Sequence, residues 1–152
     1  MATTMRARVG YEEDLFAWTQ EQAALLRAHA QDGLDWENLA EEIESMGGRD
    51  RRELKSRIRV ILLHLLKWQA QPELRGTSWR STLRAQRLEI EDLLQQSPSL
   101  RREVPDLIRD AYPDAVKEAV DETELPPKTF PNICPYEPDE VLDEDYLPAA
   151  RL

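Results

Sequence analysis

The sequence holds one cysteine, Cys134, and two histidines, His29 and His64. A single thiol excludes an internal disulfide and a cysteine-only metal cage, and two imidazoles exclude a histidine-rich metal site. Glycine is scarce, five in 152 residues, and forms no phosphate-cradling loop. A His-x-x-x-His pair, a GxSxG nucleophile turn and the Glu-x-x-His pairs of di-iron bundles are all missing; Ile61 stands three residues before His64. No apolar run approaches the roughly 20 residues that cross a bilayer. The N-terminal stretch, with Arg6 and Arg8, has no apolar signal-peptide core. The expectation is therefore no metal, no cofactor, no membrane and a cytoplasmic address.

What is present reads as a soluble globular chain of one domain's length, 41% hydrophobic and 33% charged. Its net charge of −10 is unevenly laid out. Residues 1–48 carry 3 basic and 10 acidic side chains (net −7), residues 49–109 carry 14 and 8 (net +6), and residues 110–152 carry 3 and 12 (net −9). Such a layout lets acidic ends fold back on a basic middle, or leaves a basic surface for an anionic partner. The internal arrangement is the favoured one.

Helical spacing predicts about five helices. The first starts near Tyr11, with Glu12, Glu13 and Asp14 in its first turn. Leu15, Trp18, Gln22, Leu25, Leu26 and His29 recur along it, and Asp32-Gly33 reads as its stop. His29 falls in the last turn, where a histidine cation is favourable. Asp35 is a good N-cap for a second helix with an apolar stripe of Trp36, Leu39, Ala40, Ile43 and Met46. Glu37, Glu41 and Glu44 point away from that stripe. Gly47-Gly48 is expected to end the helix and to make helices two and three an antiparallel αα-hairpin.

The third helix, Arg49 to Gln71, becomes apolar on nearly every side through Val60-Ile61-Leu62-Leu63 and Leu65-Leu66, so other elements should surround it. Pro72 stops it. Ser78 is a cap candidate for the fourth helix, whose seam runs through Trp79, Leu83, Gln86, Ile90, Leu93 and Leu94 before Ser97-Pro98. A fifth runs from Ser99 to about Thr123, with kinks expected at Pro105 and Pro113 and a break at Tyr112-Pro113. Beyond Leu125, prolines and acids are interleaved with Phe130, Ile133, Tyr136, Val141, Leu142, Tyr146 and Leu147. That reads as an extended strap with one short helical turn begun by Pro138. The expected fold is all-α: a single-domain bundle over residues 11–123 with a central third helix, an N-terminal arm (1–10) and a Pro-rich C-terminal strap (124–152) packed on the bundle.

Two constellations can carry chemistry. If the hairpin forms, Asn38 and Glu42 on helix two meet His64 and Lys67 on helix three. A carboxylate beside a histidine raises its pKa and suits acid–base work, and carboxylates with one histidine can hold a hard divalent metal. A structural role for this polar cluster is favoured, because buried polar groups pair whenever they are shielded from water. The second constellation is basic: Arg75, Arg80, Arg84 and Arg87 near Trp79, a surface for nucleic acid or an acidic protein. The many carboxylates weigh against nucleic acid.

LDWENLAEEIESMG (Leu34 to Gly47), RRELKSRIRVILLHLLKW (Arg51 to Trp68), the following SWR, and FPNICPYEPDEVLDEDYLP near the end together resemble the bacterial domain-of-unknown-function family 29. The resemblance spans nearly the whole chain and implies a bacterial, all-α, single-domain protein with the strap included. It supplies no activity, cofactor or catalytic residue. The leading expectation is a small cytoplasmic interaction or regulatory module whose partner is another protein, with no catalysis required. The alternatives are an enzyme or metal-binding protein using Glu42 and His64, and nucleic-acid binding through the basic surface of helices three and four.

Overall fold

The computed structural model describes residues 8–149 and 151–152. The expected N-terminal arm lies outside the described residues as far as residue 7, Arg6 included. Among the described residues there are five α-helices and no strand: α1 Leu15–Arg27, α2 Trp36–Ala70, α3 Thr77–Gln96, α4 Val104–Thr123 and α5 Pro138–Leu142. The class is all-α, as the periodicity requires. The membership of the five differs, because the expected second and third helices are one and the fifth is the short turn in the strap. The chain divides into two compact units, residues 1–48 and 49–152.

In the first unit, α1 begins four residues later than Tyr11 because Asp14 is its cap, accepting the Ala17 N–H at 2.9 Å. Glu12 and Glu13 therefore precede the helix and do not form its first turn. The stop also lies earlier than Asp32-Gly33. Ala28 is the C-cap, and His29 takes the left-handed conformation with φ 55°. The His29 N–H reaches the Leu26 carbonyl (3.1 Å) and the Ala30 N–H reaches Leu25 (3.0 Å). This is a Schellman termination with histidine where glycine is usual. Trp18 and Gln22 are the buried residues of α1, while Leu15 and Leu26 stay exposed. Gln22 ties the 33–35 turn down, donating to the Gly33 carbonyl (3.3 Å) and accepting the Asp35 N–H (2.8 Å).

The hairpin expected at Gly47-Gly48 does not form, since α2 runs unbroken through both glycines. A helical glycine costs only about 1 kcal/mol relative to alanine. Good helix formers on both sides propagate across the pair once the helix exists.

The second unit surrounds the C-terminal half of α2. Leu54, Ile58, Ile61, Leu62, Leu65 and Leu66 are fully buried there, so this segment is central as its all-round apolarity demands. Arg57 meets Gln86 (3.2 Å) and Glu89 (3.7 Å), while Lys67, ten residues on, meets Trp79, so α3 runs antiparallel to α2. Arg59 pairs with Glu118 and Lys67 with Glu122, so α4 runs parallel to it. Residues Pro98–Glu103 form a 3-10 turn, and α4 starts at Val104 with Pro105 in its first turn, where the missing N–H is harmless. Pro113 stands inside α4 without breaking it, against expectation; Ala111, Tyr112 and Ala115 on either side are buried, and that packing holds the helix together.

The strap then returns over this unit, with Phe130, Tyr136 and Val141 buried in its core. Pro138 starts α5 as expected, reinforced by a capping box between Glu137 and Glu140.

Candidate functional site

Each half of the Asn38/Glu42/His64/Lys67 cluster has partners within its own unit. In the first, Asn38 donates to Asp35 (2.8 Å) and Glu42 accepts the Tyr11 hydroxyl. That bond to the Glu42 carboxylate pushes the Tyr11 phenol up to about 12. Asp35 lies below the usual carboxylate range because Asn38 donates to it; burial opposes the shift and the Trp18 indole N–H, at 3.2 Å, adds to it. Tyr11 also packs edge-on against Trp18, centroids 4.9 Å apart. These contacts fasten α1 to the start of α2.

In the second unit, the His64 Nδ1 lies 2.8 Å from the Val60 carbonyl one turn back. Burial holds His64 below the ordinary imidazole value, the Val60 bond partly opposes this, and Lys67 lowers it further. The upward shift that a carboxylate neighbour would give under the acid–base alternative is not seen; the direction is downward, with Glu122 partly opposing it. Lys67 pairs with Glu122 at 2.8 Å and sits 4.9 Å from the Trp79 ring centroid. Glu122 was not picked out from the sequence. Its signal is the i, i+4 pair Glu118/Glu122 on α4, which answers Arg59 and Lys67 on α2.

The basic constellation is equally committed. Arg87 is 4% exposed and donates to the carbonyls of Glu140, Val141 and Tyr146. It fastens the strap to α3, and burial lowers its pKa. Arg84 pairs with Glu144 at 2.9 Å, both exposed. The Arg75 Nε donates to the Trp68 carbonyl (2.6 Å), and the Arg75 and Arg80 guanidiniums lie 5.1 and 5.3 Å from the Trp68 ring. Among the described residues, no buried side-chain nitrogen or oxygen lacks a partner, and no group of three or more His, Cys, Asp or Glu is placed to hold a metal ion. No helix among them is long and apolar enough to cross a membrane.

Where the strap crosses α4 it leaves a groove of about 670 Å³ lined by Pro105, Ile108, Tyr112, Ile133 and Pro138. The Tyr112 hydroxyl donates to the Pro131 carbonyl (2.6 Å), and burial pushes its phenol up to about 12. Burial likewise raises the Cys134 thiol, so it is a weak nucleophile.

The surface that sequence reasoning misassigned lies in the first unit. Trp36, Ile43 and Met46, expected as a core stripe, are 65%, 68% and 57% exposed. Leu39 between them is half-buried, and Phe16 on α1 is 75% exposed. Scattered exposed apolar residues are ordinary, but several large ones in a unit this small are not. The 3-4-3 spacing is that of a face that packs against another helix, but it does not tell whether that helix belongs to the same chain.

A family model described as "Domain of unknown function DUF29" matches residues 10–147. No curated protein and no solved structure matches the chain.

Proposed function

This chain belongs to the DUF29 family, and from that premise we propose that it is an interaction module of the bacterial cytoplasm that captures another protein on the exposed face of its first unit. The observation that carries the reading is the run Trp36, Ile43 and Met46 along one stripe of α2, each more than half exposed. Burying three such side chains offers about 1.5–3 kcal/mol each, the kind of anchor that dominates protein interfaces. The polar clusters support the same reading by contrast, since their side chains already hold helix to helix or strap to helix.

A photo-crosslinking amino acid placed at Ile43 in the native host tests this. A discrete adduct with one protein is expected, lost when Trp36 and Met46 are changed to serine. No adduct from position 43, or an equally strong adduct from a control position on the exposed face of α3, contradicts it.

A further inference from the structure

We infer that the occupant of this stripe is a cationic amphipathic helix of the partner protein, an inference that rests on reading the stripe as a docking surface. Trp36, Leu39, Ile43 and Met46 stand at 3-4-3 spacing, the seam of two helices packed side by side. They cover 11 residues of helix, about 16 Å or three turns, which matches one short partner helix. Gly47 closes the seam, and a Cβ added there would meet nothing within 4 Å, so a partner backbone can approach closely.

Charge selects the sign of the partner. Glu37 and Glu44 are exposed one position past Trp36 and Ile43, which puts both on the outer face next to the seam, about 100° round from it and within reach of a long basic side chain, and Glu41 is exposed beyond them. Residues 1–48 carry net charge −7 by sequence. A helix bringing lysine or arginine beside its apolar seam can reach these carboxylates at the rim of the contact. A second copy of the same stripe brings glutamates against glutamates, which disfavours an isologous dimer. An anionic membrane or nucleic acid is repelled for the same reason.

The test uses the full chain and two labelled peptides of about 18 residues, five helical turns, sharing one leucine seam, with flanks of either lysine or glutamate. Fluorescence anisotropy should show the lysine peptide binding at least about ten-fold tighter than the glutamate peptide, weakening as salt rises. Ile43→Ser should weaken the lysine peptide at least about ten-fold, a loss of roughly 1.4 kcal/mol or more. Glu37→Gln/Glu44→Gln should weaken it several-fold and flatten the salt dependence. Equal binding of the two peptides, or lysine-peptide binding indifferent to Ile43→Ser, overturns the inference. So does a dimer seen by sedimentation that Ile43→Ser dissolves, because the occupant is then a second copy. A crosslinked partner without a basic helix overturns this inference alone and leaves the docking reading intact; no crosslink at all removes the docking reading itself.

Discussion

At the residue scale, several side chains do something other than their type suggests. His29 and Glu124 both hold left-handed backbone, φ 55° and 58°, at the ends of α1 and α4. An L-residue with a Cβ is strained there and glycine is not. His29→Gly and Glu124→Gly should each raise stability by up to about 1 kcal/mol, read as a higher urea midpoint at unchanged slope. The opposite sign would mean that the side chains make contacts worth more than the strain. His64 has a direction in pH. Its folded pKa lies below the ordinary 6.5 because burial disfavours the cation. The unfolded chain therefore takes up the proton first as pH falls. The contribution of His64 is complete above about pH 6.5 and is lost as pH drops through its lowered folded pKa. Unfolding measured between about pH 7 and 5.5 should show this decline, and His64→Gln should remove its share of the slope. Stability that rises on acidification over that range would show a histidine paired with a carboxylate.

At the element scale, the helical text was legible and its punctuation in part: Pro72 and Ser97-Pro98 do end helices and Pro138 does start one. Leu54, Ile58, Ile61, Leu62 and Leu65 announce a surrounded helix by period and composition alone, and the structure buries all of them. Gly47-Gly48 and Pro113 look like stops, yet both lie within helices. The glycines cost only about 1 kcal/mol each and helix continues across them. The roughly 3 kcal/mol cost of Pro113 is offset by the burial of Ala111, Tyr112 and Ala115, a tertiary sum to which sequence reading has no access. The glycine pair does mark a boundary, that between the two compact units, without breaking the helix. Because a Cβ at Gly47 meets open space, Gly47→Ala should stabilise the protein by about 0.5–1 kcal/mol. A destabilised alanine variant would show that the position needs glycine's backbone freedom after all. The strap was legible through its large apolar residues, but its fastening was not, since Arg87 and Arg84 look alike in sequence. Arg87→Met leaves three strap carbonyls without their buried donor and should cost about 2–4 kcal/mol, with protease cleavage appearing after Thr123. Arg84→Met removes an exposed pair and should cost at most about 0.5 kcal/mol. Equal losses would place Arg87 on the surface.

At the scale of the whole molecule, charge layout and burial point to a division of labour. The basic middle of the chain is answered from its acidic C-terminal part, Arg59 by Glu118, Lys67 by Glu122 and Arg84 by Glu144. Of the two acidic ends expected to fold back on the middle, the C-terminal one does so through these pairs. What the sequence could not disclose is the state of the N-terminal helical stripe, because an apolar seam waiting for a partner and an apolar seam in a core have the same spacing. Trp36, Ile43 and Met46 carry the central claim that the stripe faces water in the free protein and is there to be covered by another helix. Ile43→Ser measures this most directly, since isoleucine and serine have similar helix propensity and the change reports burial. In urea unfolding of the isolated protein, the account predicts a loss within about 0.5 kcal/mol, as for an exposed position. A loss of about 3 kcal/mol or more would place Ile43 in a core and contradict it.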